Sequence, residues 1–377
     1  MKDSVGIYLH SPFCGSKCGY CSFYSFPGTE QEKNAYIRCL EGDVLKGIHS
    51  LENDYEYATI YFGGGTPSCF PASHFSVLLN KIIKNLVKRS IPVKEVTVEV
   101  NPADYDFNEL TLLRDVGVSR ISIGLQSLTD DDLSVMGRRH SVETALKTVD
   151  DAVKVGFSGV SGDLIYGLPN QNFSQWKEGL KTLCNLGLNH VSLYELTLEE
   201  GTPFFKNNFS EDNEDNILQF LDSMLQFLRA NGFQRYEISN FAKGSENRSQ
   251  HNLNYWRQRD YLGFGPSAVS TIGTTRMTTK SSLKDYLAGN IQYETEELSK
   301  KELQFERIML GLRSSEGVSK EFIGNYQVNY FSKEERISAE NSLGNFIDNR
   351  CFEEKNGIIS FTDKGFLLYN EIIGKIL

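Results

Sequence analysis

Three of the seven cysteines in the sequence lie within eight residues of one another. Cys14, Cys18 and Cys21 form a C-x3-C-x2-C run that directly follows an apolar stretch, Val5–His10. Thiolates are soft ligands, and three so close in sequence are typical of a zinc site or an iron–sulfur cluster. A structural zinc site would need a fourth nearby Cys or His, and residues 22–25 supply none. The spacing therefore favours an iron–sulfur cluster in which one iron has no protein ligand.

Further residues that suit a polar cofactor follow several predicted strands. Residues 63–65 are glycines without a Cβ, so their backbone can approach a ligand closely. Glu99 can accept hydrogen bonds from a ribose diol, Gln126 can make an amide contact, and Arg138 can pair with a carboxylate. Asp163 lies inside an apolar run, where an unpaired charge would be costly. Each assignment has a structural alternative that the residue type leaves open. The glycines can form a tight turn, Glu99 can form a salt bridge at the rim, and Arg138 can be a surface arginine.

Alternating strands and helices must position these residues. Seven short runs, most of them continuously apolar as in a parallel sheet, predict strands at Val5–His10, Ala58–Phe62, Glu95–Val100, Arg120–Leu125, Gly162–Tyr166, His190–Leu196 and Tyr236–Ser239. Helices are predicted between them at Glu30–Ser50, Pro71–Lys88, Phe107–Val116, Ser141–Val155, Ser174–Leu186 and Asp212–Asn231. The unusual residues follow several strands instead of meeting at one switch point, which favours a barrel over a doubly wound sheet. The predicted fold is α/β, an incomplete (β/α)6 barrel of the TIM type.

The pattern changes after residue 242. We predict the partial barrel over residues 1–242, and over 243–295 a connecting region rich in Gly and aromatic residues, with a long loop at 243–281. Residues 296–377 predict a small C-terminal α+β domain of winged-helix-like type. Its expected helices and strand are Lys301–Leu312, Ser319–Asn325, Ala339–Asn349 and a strand that begins at Ile358. In so acidic a chain, a lid or docking role is expected of this domain instead of DNA binding.

Charge, hydropathy and cysteine usage exclude several functions. The 377-residue chain carries 39 basic and 49 acidic residues, a net charge of −10, which argues against non-specific nucleic-acid binding. No apolar stretch is long enough to span a bilayer, and the N-terminal one is too short for a signal peptide. An odd number of cysteines without a secretory signal predicts a reducing, cytoplasmic location. The remaining cysteines are expected to pack as small apolar side chains: Cys39, Cys69, Cys184 and Cys351.

The sequence resembles the radical S-adenosylmethionine (SAM) enzymes and, within them, the oxygen-independent coproporphyrinogen oxidase group. The resemblance covers most of the chain and rests on five blocks: Tyr8–Cys14, Tyr61–Ser68, Ser122–Ser127, Gly137–His140 and Asp163–Pro169. In that family an incomplete barrel holds a 4Fe–4S cluster, and SAM chelates the open iron. Electron transfer from the cluster then cleaves SAM to a 5′-deoxyadenosyl radical.

The resemblance also implies a role for each matching residue. Cys14, Cys18 and Cys21 would ligate the 4Fe–4S cluster. A first SAM site would include Tyr8, Gly64 and Glu99. A second SAM site, seen in the oxidase, would include Tyr20, Gly65, Thr66, Gln126, Arg138 and Asp163. Whether one or two SAM molecules bind stays open at this point.

Two departures separate the chain from the oxidases. The oxidases carry a further cysteine where this chain has Phe23, and they have an extension before the first strand, whereas only thirteen residues precede Cys14 here. Both departures match the HemW-type heme chaperones, and so does the H-N-x-x-Y-W block at His251–Trp256. Imidazole is a good axial ligand for heme iron, and aromatic rings can pack on a porphyrin. His251 is therefore the predicted heme ligand; the alternative is a packed, hydrogen-bonded histidine.

The resemblance implies a cytoplasmic heme chaperone that binds heme, a 4Fe–4S cluster and SAM. It further implies two protein partners, a hemoprotein acceptor and an electron donor, whose identities it does not specify. The alternative is an enzyme that converts coproporphyrinogen III to protoporphyrinogen IX by oxygen-independent oxidative decarboxylation. Phe23 speaks against that activity, while the retained SAM-site residues keep it open.

Overall fold

Strands and helices alternate through the first half of the fold. A computed structural model describes residues 2–51, 55–209 and 212–377. The strands of this half are β1 (Lys2–Ser11), β2 (Tyr55–Gly64), β3 (Val93–Val100), β4 (Arg120–Gln126), β5 (Gly159–Tyr166) and β6 (His190–Glu195). The helices are α1 (Glu30–Ser50), α2 (Ala72–Lys88), α3 (Phe107–Asp115), α4 (Asp130–Val135), α5 (Val142–Val155), α6 (Phe173–Leu186), α7 (Pro203–Lys206) and α8 (Glu214–Ala230).

Shorter strands follow, and then a small C-terminal domain. The connecting part contains β7 (Gln234–Arg235), β8 (Asn240–Ala242), α9 (Gln250–Trp256), β9 (Asp260–Phe264), β10 (Val269–Ile272), β11 (Thr275–Thr279), α10 (Leu283–Leu287) and β12 (Tyr293–Glu297). The C-terminal domain contains α11 (Lys300–Leu312), β13 (Val318–Ser319), α12 (Lys320–Tyr330), α13 (Lys333–Asp348), β14 (Phe352–Lys355), β15 (Ile358–Phe361), α14 (Asp363–Leu367) and α15 (Tyr369–Ile376).

Twelve strands of the described residues form one large sheet. Its order is β12-β11-β10-β9-β1-β2-β3-β4-β5-β6-β8-β7. The strands from β1 to β6 are all parallel, and β9 adds a further parallel strand beside β1. Because β12 and β7 are edge strands that do not pair with each other, the sheet is not closed. This confirms the α/β fold and the incomplete barrel.

The two faces of the sheet differ in polarity. In β3, Val96 and Val98 are fully buried in the large apolar core that the helices cover. The alternate residues Glu95, Thr97 and Glu99 project from the opposite face, since side chains along a strand alternate between faces. That second face carries polar groups, so it is the surface that can build a site.

Capping side chains explain why the predicted helices begin where they do. Thr29 accepts a hydrogen bond from the backbone N–H of Glu32, and the Glu32 carboxylate accepts one from Thr29, so α1 begins with a capping box. Asp106 and Glu109 form the same arrangement at α3. Gly156 ends α5 with a positive φ of 91°, which favours glycine.

Two predictions for the middle of the chain are wrong. The strand predicted at Tyr236–Ser239 is the connection between β7 and β8, two short antiparallel strands. The loop predicted at 243–281 instead contains α9 and β9–β11, because β9 pairs with β1 and extends the main sheet. These strands are only four or five residues long and rich in Gly, Ser and Thr, a composition that resembles a loop.

The C-terminal domain has its own apolar core and the winged-helix-like order of helix, strand, two helices and two strands. Ile308, Leu312 and Ile323 pack there with Ile359 and Ile372. The sequence prediction missed β13 and β14, which pair with β15 in a three-stranded sheet. The division into 1–242, 243–295 and 296–377 stays a prediction. No helix of the described residues is long and apolar enough to cross a membrane.

Candidate functional site

The cysteine run lies in the loop between β1 and α1, over the carboxyl ends of the strands. The backbone N–H of Cys14 donates to the carbonyl of Phe26 at 3.1 Å, and that of Cys21 donates to the carbonyl of Cys18 at 3.3 Å. Phe13 is fully buried and packs edge-on against Phe26. The loop is thus anchored by its backbone and one aromatic side chain, which leaves the thiols to face the strand ends.

A cavity of about 900 Å³ opens beside this loop at the carboxyl ends of the parallel strands. It brings together most of the predicted site residues from six separate segments of the chain. Those that line it are Cys14, Cys18, Tyr20, Cys21, Gly64, Gly65, Thr66, Glu99, Gln126, Arg138 and Asp163. Two predicted residues, Tyr8 and His251, are not part of its wall.

The cysteine sulfurs have polar neighbours in the cavity wall, among them two side chains. The Sγ atom of Cys14 lies 3.2 Å from Thr66 Oγ1. Arg138 Nη1 donates to Cys18 Sγ at 3.7 Å. Burial raises the pKa of the Cys21 thiol. The cationic Arg138 side chain favours the negative charge that a thiolate ligand carries.

The glycine segment after β2 is shaped by close packing. Gly64 has a positive φ of 108°, and a Cβ there would lie 2.5 Å from His10 Nδ1. A Cβ on Gly65 would lie 2.6 Å from the carbonyl oxygen of Phe13. Only glycine lets the backbone pass so close to β1 and the cysteine loop. The contacts present explain these glycines by packing, and the approach to a ligand stays a prediction.

Glu99 is held at the edge of the cavity by two donors. Tyr61 donates its hydroxyl to Oε1 at 2.8 Å, and the backbone N–H of Gly64 donates to Oε2 at 3.2 Å. Burial raises the pKa of Glu99 to about 7. The carboxyl group therefore has a fixed orientation and lone pairs available for the hydroxyl groups of a ligand.

Asp163 and Gln126 occupy neighbouring strands of the same wall. Asp163 accepts hydrogen bonds from Ser122 Oγ at 2.8 Å and Ser161 Oγ at 3.1 Å. Burial raises its pKa, so the group is held in a polar setting that only partly offsets the loss of water. Gln126 ends β4 with a φ of 64°, in the left-handed region. Such strain in a residue other than glycine is common at functional sites.

Tyr8 contacts the site indirectly. Its ring packs against that of Tyr61 with centroids 6.2 Å apart, and its hydroxyl lies 3.1 Å from His10 Nδ1. His10 Nε2 in turn lies 3.0 Å from the carbonyl oxygen of Tyr24 in the cysteine loop. Tyr8 therefore packs against Tyr61, which contacts Glu99, and against His10, which contacts the cysteine loop. Its direct contact with SAM stays a prediction.

His251 lies on the polar face of the sheet, against Thr59 and Tyr61 in the middle of β2, while the helix that carries it covers the amino ends of the strands. It sits on α9, only 1% exposed, and burial lowers its pKa to about 3. Its Nδ1 lies 2.9 Å from Thr59 Oγ1 and its Nε2 lies 3.0 Å from Tyr255 Oη. The sequence analysis placed His251 in the long loop 243–281, which is wrong, because the residue lies on α9. In this arrangement both ring nitrogens have partners, so coordination of heme iron would require the contact with Tyr255 to open.

The H-N-x-x-Y-W helix is fixed against the amino ends of the strands. Glu95, at the start of β3, accepts hydrogen bonds from the backbone N–H groups of Gln250 and His251, both at 2.9 Å. Asn254 donates to Thr59 at 3.1 Å and accepts from Ser4 at 2.8 Å. A carboxylate at a helix N-terminus satisfies free N–H groups and the helix dipole. The block therefore has a clear structural role on the polar face of the sheet.

The sequence reasoning missed two residues that the structure brings to the site. Asn101 follows β3 and contacts both Thr66 and Arg138. Tyr61 contacts Glu99 with its hydroxyl and stacks on His251 with its ring, at 5.0 Å between centroids. Asn101 had a usable signal, since it is polar and directly follows a predicted strand. Tyr61 had none, because an aromatic residue in a strand is ordinary.

The donor set fits the group that the sequence implies. The three free thiols of the cysteine run line the cavity together with the free thiol of Cys69, and nearby polar groups can support thiolate charge. Within the described ranges, no three His, Cys, Asp or Glu side chains surround a point that suits a single metal ion. Three thiolates along one wall can still hold a multi-iron cluster, because each can ligate a different iron.

Comparison with known proteins gives a consistent result. The Radical SAM superfamily profile matches residues 8–183, and the HemN C-terminal domain profile matches residues 298–368. The chain is 31% identical to the heme chaperone HemW of Bacillus subtilis over 98% of each chain. It is 32% identical to HemW of Lactococcus lactis over 100% of this chain and 98% of that one. Among solved structures, coproporphyrinogen III oxidase (HemN) of Escherichia coli is similar in fold, with a TM-score of 0.79, 20% identity, and coverage of 100% of this chain and 90% of that one.

Proposed function

Since this chain belongs to the HemW heme-chaperone family of the radical SAM superfamily, we propose that it binds heme and transfers it to an acceptor hemoprotein. In this proposal the protein also carries a 4Fe–4S cluster and SAM and works in the cytoplasm. The observation that carries the proposal is the similarity to HemW proteins over essentially the whole length of both chains. The electron donor and the acceptor are partners of this same proposal.

The cavity at the carboxyl ends of the strands supports the cofactor part. Cys14, Cys18 and Cys21 would ligate the cluster, whose open iron gives SAM a binding position. Gly64 and Glu99, which line the cavity, would contact a first SAM molecule together with Tyr8. The second proposed set surrounds the same cavity: Tyr20, Gly65, Thr66, Gln126, Arg138 and Asp163. A bound cluster would supply electrons; the protein supplies the fixed carboxyl and guanidinium groups.

The heme part of the proposal assigns His251 as the iron ligand. The imidazole is neutral at physiological pH because burial lowers its pKa to about 3, and a neutral imidazole nitrogen is the form that binds metals. The Tyr255 hydroxyl occupies Nε2 at 3.0 Å, so heme must displace that one contact. Thr59 holds the opposite nitrogen at 2.9 Å and can keep the ring oriented, as second-shell partners of metal-bound histidines do.

The test uses anaerobically reconstituted full-length protein. We expect about four irons per chain, stoichiometric heme binding on titration, and transfer of that heme to apo-myoglobin as the probe acceptor. We expect no turnover of coproporphyrinogen III when SAM and a reductant are present. Failure to bind or transfer heme would overturn the chaperone proposal. Robust conversion to protoporphyrinogen IX would establish the oxidase alternative, which the HemN-like fold alone does not distinguish.

Three variants test the His251 assignment separately. Tyr255→Phe removes the hydroxyl group that contacts His251 Nε2. We expect tighter heme binding, because the heme iron no longer has to displace that hydroxyl. Thr59→Val removes the partner at Nδ1, so we expect weaker heme binding because the ring loses the contact that orients it. Equal heme affinity and an unchanged heme spectrum in Tyr255→Phe and His251→Gln would exclude His251 as the ligand, whatever the outcome for heme transfer.

A further inference from the structure

Asn101 connects two of the polar side chains that contact cysteine sulfurs, Thr66 and Arg138. It directly follows β3 and lines the cavity. Its Nδ2 donates to Thr66 Oγ1 at 3.2 Å, and its Oδ1 accepts from Arg138 Nη2 at 2.7 Å. Thr66 Oγ1 lies 3.2 Å from Cys14 Sγ, and Arg138 Nη1 donates to Cys18 Sγ at 3.7 Å. One amide therefore lies at the centre of a chain of contacts that begins and ends on a cysteine sulfur.

The direction of each hydrogen bond follows from the chemistry of the side chains. A guanidinium only donates, so the amide must direct its oxygen towards Arg138 and its N–H group towards Thr66. The Thr66 hydroxyl has a single hydrogen. Its oxygen accepts from Asn101, and a cluster-bound Cys14 would be a thiolate without a hydrogen, so in that state the hydroxyl would donate to Cys14 Sγ. Both sulfurs thus receive a donor, one from a hydroxyl and one from a cation.

The backbone keeps Asn101 in place. Its own N–H donates to Ser68 Oγ at 3.0 Å, and Ser68 donates to Asp104 Oδ2 at 2.5 Å. Arg138 has a further fixed contact, since Nη2 also donates to the carbonyl oxygen of Gly124 at 3.0 Å. The amide and the guanidinium are therefore held by the scaffold as well as by each other. Such outer contacts orient first-shell ligands and tune the metal group they support.

We infer that Asn101 is a positioning residue that aims Thr66 and Arg138 at the cysteine sulfurs and so raises the reduction potential of the cluster. The inference rests on the proposed 4Fe–4S cluster. Hydrogen bonds to the sulfurs stabilise the reduced cluster more than the oxidised one, because reduction adds negative charge. Thr66 and Arg138 act on the cluster in this reading, a role that is separate from any contact they make with SAM.

The experiment is a redox titration of the reconstituted full chain, followed by electron paramagnetic resonance of the reduced cluster. Asn101→Ala is expected to lower the midpoint potential, with the reduced-to-oxidised ratio at a fixed potential falling about tenfold, which corresponds to ~59 mV for one electron. Ser122→Ala is the matched control, because Ser122 lines the same cavity and contacts Asp163 instead of a sulfur. Its midpoint potential is expected to equal that of the wild type.

A second pair of variants covers the case in which Asn101→Ala loses its cluster. Thr66→Ala is expected to lower the potential, and Thr66→Ser to restore it, because serine retains the donor hydroxyl. A wild-type midpoint potential in Asn101→Ala with full iron content, or in Thr66→Ala, overturns the inference and leaves the chaperone proposal intact. Absence of a cluster in the wild type would instead refute the cluster part of the proposed function.

Discussion

The cysteine loop and the H-N-x-x-Y-W helix contain metal-binding side chains, yet they lie at opposite ends of the same sheet. At the carboxyl ends, Cys14, Cys18 and Cys21 line an open cavity. On the helix that covers the amino ends, His251 is 1% exposed and both of its nitrogens have partners. The carboxyl-terminal end of such sheets is where barrel enzymes bind ligands, and the opposite end commonly serves stability. Whether a cysteine or histidine is free to bind a metal group therefore depends on where the fold places it.

The largest expected effect is the loss of the cluster from the cysteine loop. Replacing any one of Cys14, Cys18 or Cys21 by alanine should abolish the brown iron–sulfur absorbance and most bound iron. Cys69→Ala is the matched control, because Cys69 lines the same cavity but lies outside the C-x3-C-x2-C run. Iron analysis and absorbance after anaerobic reconstitution measure the effect. A complete cluster in all three loop variants would falsify the ligand assignment.

At the opposite end, the main effect of a substitution should be on stability. His251→Ala removes two hydrogen-bonded nitrogens and a ring stacked on Tyr61, which should lower the free energy of unfolding by about 3 kcal/mol. Urea denaturation of the cofactor-free protein measures it. His49→Ala serves as the control, since His49 is exposed at the end of α1 and should change stability by less than about 0.5 kcal/mol. Similar losses in both variants would mean that the α9 contacts contribute little.

The pH dependence should distinguish the two ends by sign. Burial lowers the pKa of His251 to about 3, against about 6.5 for histidine in an unfolded chain. Between these values the unfolded chain binds the additional proton, so stability is lost as the pH falls below about 6.5. From about pH 7.5 to about pH 5, His251 should remove about 2 kcal/mol, and His251→Gln should show a correspondingly shallower decline. Parallel curves for the two proteins would contradict this.

Glu99 should contribute with the opposite sign. Burial raises its pKa to about 7, above the ordinary value of about 4.3. The folded state then holds the proton more tightly, so the contribution of Glu99 to stability is present at low pH and is lost as the pH rises through that interval. Glu99→Gln should flatten this part of the stability curve in the cofactor-free protein. A variant curve that falls as steeply as the wild type would show that Glu99 titrates normally.

The smallest expected effect concerns strain at the cavity. Gln126 has a φ of 64°, and replacing it by glycine should increase the free energy of unfolding by about 1 kcal/mol, because glycine adopts this conformation freely. The same substitution removes an amide from the proposed SAM site, so SAM affinity measured by calorimetry should fall. A more stable variant with wild-type SAM affinity would show that the strain serves no binding role.

Much of the fold followed from local pattern. Helix α1 spans the predicted residues Glu30–Ser50 because a capping box fixes its start. Mostly apolar runs located β1 to β6, because strands covered by helices need apolar residues. Strand β3 instead alternates apolar and polar residues, because only one of its faces packs in the apolar core. The short strands β9, β10 and β11 escaped prediction, since their residues look like a loop until β1 supplies a pairing edge.

The candidate site was predictable in its chemistry and only partly in its geometry. The cysteine run and the residues after the strands lie together because parallel strands bring their carboxyl ends to one edge, a consequence of topology that the alternating pattern implies. Asn101 could not be ranked above its neighbours, because its importance depends on contacts with Thr66 and Arg138, residues far away in sequence.

The sequence by itself determined the ligand chemistry: three thiols in a run, with polar residues after successive strands. It also determined the alternation that builds the sheet, since hydrophobic periodicity is a local property. Only the tertiary structure decided that His251 lies buried against Tyr61, on the helix that covers the amino ends of the strands, while the cysteines lie open at the carboxyl ends. Burial and hydrogen-bond partners arise from long-range packing, which no local spacing of residues encodes.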